Sequence, residues 1–377
     1  MARAKQIISE VESLDEQGRG ILRVGEQRLA LFGTIPGESI AYQPEIRPSS
    51  GKKSWKILKP SPDRREPPCP YFGECGGCQL QHMNEARQLL EKEHWLRALF
   101  RGELPDDCVY PVIASPKALH YRRRVQFQIS PQAQVGFFAE GSHQVVPVES
   151  CAIAQEEINR KIPELRKMAS ELLQARERPS LLQLEVTVDE WGRAVVDPNG
   201  EERNFIQVNP EANQSLLEFL KKTFAELAPR RVLELYAGEG NLSFALAEGI
   251  QHWTAVESSA PAVGLARAEA MRRGLTMEWL EGDASANFKK CSAREGAWDL
   301  LLLDPPRQGA EAVMEILGHS SISKLLYVSC NPLTLKRDWR RLKAFGFKLR
   351  FLQPLDFFPQ TMHLETVLFA ERSDLKS

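Results

Sequence analysis

The sequence predicts an α/β protein with three parts: a doubly wound, Rossmann-like domain, a central β-rich domain and a small N-terminal β-barrel. From about residue 205 onward the apolar runs VLELYAG, HWTAVES, LLLDPP, LLYVSC and TVLFAE are separated by helical stretches. Strands alternating with helices build a mostly parallel sheet. Between residues 120 and 200, RRVQFQIS, QVGFFAE and QLEVTVDEWGRAVVD read as strands, interrupted by one helical stretch, EEINRKIPELRKMASELLQ. Over the first 60 residues QIISEVESL, GRGILRV, QRLALFGTIPGES and IAYQPEI alternate with Gly and Pro, the spacing of a small barrel. The expected domains are therefore 1–60, 61–200 and 201–377.

The Pro-rich stretch KPSPDRREPPCP closes the first domain, and Asn84 is placed to cap a helix running to about Phe100. Leu89, Leu90, Leu96, Leu99 and Phe100 recur at helical spacing and are expected in the core. The composition, 42% hydrophobic and 26% charged over 377 residues, is that of a globular chain of two or three domains. No apolar run approaches the ~20 residues that span a bilayer, and the start has no apolar signal segment, so a cytoplasmic protein without a membrane partner is expected. A net charge of −1 confines any nucleic-acid surface to a local patch. Arg47, Lys52, Lys53, Lys56, Lys59, Arg64 and Arg65, against Asp63, form one candidate. That stretch reads equally well as a solvated linker.

VLELYAGEGNLSFAL reads as a buried strand, a glycine turn and a helix start, with Gly238 and Gly240 allowing close approach of a ligand. Glu257, at the end of HWTAVE, lies at the distance along the chain where an acid accepts from ribose hydroxyls. The third glycine of the dinucleotide fingerprint is missing, since Leu242 and Ser243 occupy that region. This favours a methyl donor over NAD. Asp283 and Asp304 leave apolar runs at strand ends, the edge where open α/β sheets bind ligands, and Pro305 and Pro306 stiffen the chain beside Asp304.

Cys330 follows the apolar strand of YVSCNP on a turn held by Pro332, at the same expected edge. Amide donors there are expected to favour its thiolate. Glu365 interrupts the C-terminal apolar strand in MHLETVLF, and a carboxylate in such a place is either paired or performing chemistry. Cys69, Cys75 and Cys78 form C-x5-C-x2-C, which needs a fourth ligand from elsewhere. Spacing alone suits tetrahedral zinc or a [4Fe–4S] cluster, with Cys108 one possible fourth thiolate. Cys291 reads as an ordinary thiol.

CPYFGECGGCQLQH, HYRRRVQFQI, FIQVNP, LYAGEGN, LLLDPPR, VSCNPLTLKRD and MHLETVLF, in this order over essentially the whole chain, resemble the RNA uracil-5 methyltransferases that form 5-methyluridine. The resemblance implies S-adenosylmethionine as cofactor, Cys330 as nucleophile and Glu365 as proton acceptor. It implies cofactor contacts by Gln207, Tyr236, Asn241, Glu257, Asp283 and Asp304, with Asp283 at a position where the family varies. It also implies Cys151 as the fourth cysteine and a [4Fe–4S] cluster that orders the RNA-binding part. The first 60 residues resemble the TRAM-like RNA-binding barrel of some members; together with the cysteine motif this points to 23S ribosomal RNA as partner, and a monomer is expected.

Two carbon-5 tasks explain the residue pair. Uracil C5 is a poor nucleophile until a thiolate adds to C6, and a base must then remove the C5 proton before the thiolate leaves. The competing readings are the same chemistry on transfer RNA, methylation of cytosine C5 or of an exocyclic amine, and an inactive cluster-containing RNA-binding protein. Amine methylation leaves Cys330 and Glu365 without a task.

Overall fold

The computed structural model describes residues 6–43, 55–174, 181–197, 207–293 and 298–372. The chain divides into two compact units. One comprises Met1–Trp95, Lys117–Arg203 and Phe358–Met362; the other comprises Leu96–Pro116, Asn204–Phe357 and His363–Ser377.

The first unit opens with strands β1 (Ile7–Leu14), β2 (Gly20–Val24), β3 (Gln27–Leu31), β4 (Ser39–Tyr42) and β5 (Trp55–Lys59). All pairings are antiparallel, in the order β3-β2-β1-β4-β5. The sheet curls round Val11, Leu22 and Ile40, with Leu31, Trp55 and Ile57 at the rim. Among the described residues no pairing joins β3 to β5. The corner of the sheet is held by Glu38, fully buried beneath β4. The Glu38 carboxylate accepts from Arg64 Nε (2.6 Å) and Nη2 (2.7 Å), and from the backbone N–H groups of Ile35 (3.0 Å) and Ser61 (3.1 Å).

Helix α1 (Glu85–Leu99) follows, and the side chain of Asn84 accepts from Arg87 N at 2.8 Å as the expected cap. Its buried face is only in part the leucine one. Leu96 and Phe100 are buried, but Leu90 is exposed, and Gln88, Glu91 and Lys92 are buried instead. Polar side chains are needed there because the neighbour is irregular chain with backbone groups to satisfy. Gln88 Nε2 donates to Leu80 O, Met83 O and Gln360 Oε1, Gln88 Oε1 accepts from Gln360 N, and Lys92 Nζ donates to Phe358 O.

The central sheet of this unit is antiparallel, built from β6 (Arg124–Ile129), β7 (Val135–Phe138), β8 (Val145–Pro147), β9 (Leu182–Val188) and β10 (Ala194–Asp197), in the order β10-β9-β6-β7-β8. Helices α2 (Glu156–Asn159) and α3 (Ile162–Gln174) cover one face; Phe127, Ile129, Leu184 and Val186 pack there with Ile158, Ile162, Leu165 and Ala169.

The second unit alternates helix and strand: α4 (Pro210–Leu227), β11 (Arg231–Leu235), α5 (Asn241–Leu246), β12 (His252–Glu257), α6 (Ala260–Arg272), β13 (Glu278–Glu281), α7 (Ala284–Ser292), β14 (Leu300–Leu303), α8 (Glu311–His319), β15 (Lys324–Ser329), α9 (Pro332–Ala344), β16 (Lys348–Leu355) and β17 (Glu365–Glu371). The sheet order is β13-β12-β11-β14-β15-β17-β16. The first five strands run parallel, and β17 lies antiparallel between β15 and β16. The runs of β11, β14 and β15 are almost wholly buried, as a sheet covered on both faces requires. Among the described residues no helix is long and apolar enough to cross a membrane.

Of the basic stretch, Arg47, Lys52 and Lys53 lie outside the described residues. Lys56 and Lys59 are exposed, whereas Arg64 ties Glu38 and Arg65 bonds Glu85, Gln81 O and Gln360. The two arginines are therefore internal ties.

Burial raises the Glu38 carboxyl, but the Arg64 guanidinium and two amides outweigh it and hold the group below the usual carboxylate range. Glu38→Gln removes the charge that Arg64 pairs with, leaving it the Gly33 carbonyl, and is expected to cost roughly 3 kcal/mol at pH 7. Because the folded value is depressed, the wild-type advantage is present above the unfolded pKa of about 4.3 and is lost as pH falls through the folded one. Urea unfolding of both proteins along an acid series checks this.

Candidate functional site

The site stands at the carboxyl edge of the parallel strands of the second unit. Strand β11 ends at Leu235, and the chain turns through Tyr236, Gly238 and Gly240 into α5. These three residues have φ of 65°, 56° and 94°. Gly238 has open space where a side chain would stand, while a Cβ on Gly240 would lie 2.4 Å from the Phe244 ring. The turn therefore bares its backbone beside β11, and Tyr236 holds a conformation that L side chains rarely adopt.

Glu257, the last residue of β12, fastens that turn. Its Oε2 accepts from Gly238 N at 3.0 Å, and its Oε1 accepts from Ser259 N (2.8 Å) and Ser258 Oγ (3.0 Å). The chain after β13 closes on the same point, since Gly282 N donates to Glu257 O at 2.9 Å. Asp283 is the N-cap of α7, accepting from Ala286 N at 2.8 Å. Burial, aided by the charges of Asp283 and Asp338, pushes the Tyr236 hydroxyl up to about 12, so it is neutral at physiological pH. Asn241 and Asn213 exchange amide hydrogen bonds of 3.0 Å, which joins the start of α5 to α4. Gln207 is half-buried ahead of α4, whose cap is the buried Asn209. Glu257, Tyr236, Asn241 and Asp283 are thus gathered about one glycine turn.

The second half of the site follows from the direction of β17. Ser329 of β15 pairs with Thr366 of β17 in antiparallel register. The next residue out on β15 is Cys330, and the next out on β17 is Glu365. Reversal of the last strand therefore puts its first residue at the carboxyl edge, one rung beyond the pair and beside the thiol. Glu365 is buried and its carboxyl group makes no side-chain hydrogen bond among the described residues, while Cys330 is half-buried. Burial, with the charges of Glu365 and Asp304, pushes the Cys330 thiol up to about 11; the Arg307 cation opposes this. The expected thiolate-favouring amides are outweighed by burial and two carboxyl groups, and the resting group is a thiol. Burial and the Asp304 charge likewise hold Glu365 well above the usual carboxylate range, again opposed by Arg307. Burial pushes Asp304 up to about 7.

Reasoning from sequence missed two groups here. Glu234, inside VLELYAG, is fully buried, accepts from Trp253 Nε1 at 2.9 Å and from Ser243 Oγ, and is pushed up to about 8 by burial. Arg307, the last residue of LLLDPPR, is exposed and supplies the positive charge felt by Cys330 and Glu365. Its place directly after two prolines was the available signal.

In the first unit, Cys69, Cys75, Cys78 and Cys151 line one cavity of about 270 Å³, together with Tyr71, Phe72 and Phe137 among others. Burial pushes Cys75 up to about 11 and Cys78 up to about 12, and each feels the charges of the other cavity cysteines. Among the described residues no three His, Cys, Asp or Glu side chains converge closely enough to hold a metal ion. Cys108 belongs to the other unit and does not line this cavity, and Cys291 is buried.

A mostly parallel sheet with a glycine turn at its carboxyl edge, fastened by an acid on the next strand, is the arrangement by which doubly wound α/β folds bind adenosine-type cofactors. The family described as tRNA (Uracil-5-)-methyltransferase matches residues 187–276 and 286–373. The chain is 30% identical to the 23S rRNA (uracil(1939)-C(5))-methyltransferase RlmD of Vibrio parahaemolyticus, covering 97% of this chain and 95% of that one. It is 31% identical to the RlmD of Dichelobacter nodosus, covering 96% and 98%. The tRNA (uracil-54, C5)-methyltransferase of Pyrococcus abyssi, solved with S-adenosyl-L-homocysteine, shares the fold at a TM-score of 0.73 and 19% identity, over 96% of this chain and 99% of that one. The chain belongs to the RNA uracil-5 methyltransferase family, S-adenosylmethionine-dependent enzymes.

The raised Glu234 carboxyl sets a pH dependence. Its contribution to stability is complete below the unfolded pKa of about 4.3 and is lost as pH rises through about 8. Glu234→Gln keeps an acceptor for Trp253 and Ser243 and does not ionise. The stability of the variant relative to wild type is expected to grow by a few kcal/mol between pH 5 and pH 8.5. Urea midpoints over that range measure it.

Proposed function

We propose that this protein methylates C5 of a uridine in 23S ribosomal RNA, with Cys330 as nucleophile and Glu365 as the base that removes the C5 proton. The observation that carries the reading is the rung beyond Ser329 and Thr366, which sets a thiol beside a buried carboxyl at the mouth of the sheet. Amine methylation has no use for that pair. The RNA is assigned from the two RlmD relatives, which match this chain from end to end.

Gln207, Tyr236, Asn241, Glu257, Asp283 and Asp304 are the residues proposed to hold S-adenosylmethionine. The fit rests on chemistry present at the edge: a bared glycine turn, a carboxylate at the end of β12 suited to ribose hydroxyls, and a neutral phenol. When bound, the cofactor supplies the electrophilic methyl group that C5 takes. The chain supplies the rest. Cys330, as thiolate, adds to C6 and pushes the ring electrons towards C5. Glu365, as carboxylate, receives the C5 proton, after which the S–C6 bond breaks and the thiolate leaves. Attack needs the ionised sulfur, and Arg307 is the charge at the site that favours it.

The four-thiol cavity is proposed to hold a [4Fe–4S] cluster, with Cys69, Cys75, Cys78 and Cys151 as ligands. Four thiols lining one cavity supply the donor set that such a cluster takes. The cluster's place in the RNA-binding unit suits an ordering role, and the five-stranded N-terminal sheet is proposed as the TRAM-like RNA platform.

Two experiments test these assignments. Cys330→Ala is expected to bring methylation to background and to abolish the covalent adduct with 5-fluorouridine RNA. Glu365→Gln is expected to slow turnover by ~100-fold or more and to accumulate methylated RNA bound to protein; normal turnover by either variant would falsify its role. Protein purified without oxygen is expected to be brown, with about four iron atoms per chain. Cys151→Ala is expected to lose that iron and Cys108→Ala to keep it, whereas stoichiometric zinc overturns the cluster.

A further inference from the structure

The loop that follows Asp304 is gripped along its length by the first turns of α9. Asn331 Nδ2 and Thr334 Oγ1 both donate to Arg307 O at 3.1 Å. Arg337 Nη2 donates to Gln308 O at 2.7 Å. Gly309 N closes onto Pro306 O at 2.8 Å, and Ala310 N donates to Asp338 Oδ2 at 2.7 Å. Asp338 is the hub. Its carboxylate is fully buried, takes the Tyr327 hydroxyl at 2.8 Å on Oδ2, and takes Arg337 Nε (2.9 Å) and Nη2 (2.7 Å) on Oδ1. Gly309, at φ 79°, leaves room for this: a Cβ there would stand 2.6 Å from Asp338 Oδ2 and 2.7 Å from Arg337 Nη2.

The loop so held carries one free charge. Arg307 is exposed, and its guanidinium makes no hydrogen bond or ion pair among the described residues. Its field nevertheless reaches Cys330 and Glu365, where it opposes Asp304. A solvated side chain spreads its charge over many rotamers, so its effect on one sulfur depends on where the backbone beneath it is fixed.

We propose that Asp338 is a positioning residue of the reaction centre: by clamping residues 307–310 to α9 and β15, it fixes the Arg307 cation beside Cys330. Asp338 itself touches neither sulfur nor substrate. The inference rests on the reading of Cys330 as nucleophile, but its test needs no RNA.

The groups facing Cys330 are Glu365 from β17, and Asp304 and Arg307 from the chain after β14. The sign of the effect separates the clamp from simple charge removal. Deleting the Asp338 charge directly would make the thiol more acidic, whereas releasing Arg307 makes it less acidic. The measurement is the alkylation rate of Cys330 by iodoacetamide, read on its peptide by mass spectrometry, between pH 7.5 and 10 in the full chain. Repeating it with N-ethylmaleimide removes effects of access, since a change of acidity moves both reagents alike. Arg307→Gln and Asp338→Asn are each expected to slow alkylation about twofold to threefold, an upward shift of about half a pH unit. The double variant should be no slower than Arg307→Gln alone. Gly309→Ala, which disturbs the clamp without changing any charge, should reproduce the slowing and stands in if Asp338→Asn fails to fold. Unchanged or faster alkylation in Asp338→Asn and Gly309→Ala, or additive slowing in the double variant, overturns the proposal. Failure of methylation by Cys330→Ala tests the other reading and leaves this outcome untouched.

Discussion

The site depends on one strand running the wrong way. In an all-parallel sheet the first residue of every strand lies at the edge away from the ligand. Because β17 is inserted antiparallel between β15 and β16, its first residue, Glu365, comes out at the carboxyl edge with Cys330. The pairing from Lys324–Glu371 to Ser329–Thr366 fixes their spacing through a run of backbone hydrogen bonds. A slip of one residue would turn every side chain of β17 to the other face. The buried, apolar register of TVLFA thus sets the geometry of the one polar residue that precedes it.

The edge concentrates acids where water is scarce. Glu234, Asp304 and Glu365 all have raised affinity for protons, burial being the first cause in each, and each is paired electrostatically with a neighbour in the series. Such groups titrate as a set, and the last proton lost is the most tightly held. Arg307 is the counterweight. The two influences act oppositely on the sulfur: the carboxyls favour the thiol, and the cation favours a thiolate that leaves more readily but attacks less strongly.

Much of this was legible in the sequence because the relevant signals are local. Buried strands such as LLLL and LLYVS declare themselves by continuous apolar runs, and the acids Glu257, Asp283 and Asp304 mark where such runs end. The less legible features are those set by partners distant in the chain. Leu90 matched a helical stripe, but the neighbours of α1 are loop carbonyls and Gln360, so Gln88 and Lys92 took the buried face. Arg64 and Arg65 looked like part of a basic patch until Glu38 and Glu85 were found beside them. Glu234 was hidden in an apolar run because its partners, Ser243 and Trp253, come from two later elements. The acidity of Cys330 was misjudged for the same reason: its turn suggested amides, and the charges that govern it arrive from β17 and the chain after β14.

A sulfur kept as a thiol is also a sulfur kept safe. Peroxide, electrophiles and disulfide exchange all act on thiolate, and their rates fall with its abundance. Burial and the neighbouring carboxyl groups push the Cys330 thiol up to about 11, so the thiol is its main form at neutral pH. Half-buried Cys330 is therefore held mainly in its less reactive form in the free chain. The carboxyl groups that shape the site thus also disfavour the form of the sulfur on which oxidants act.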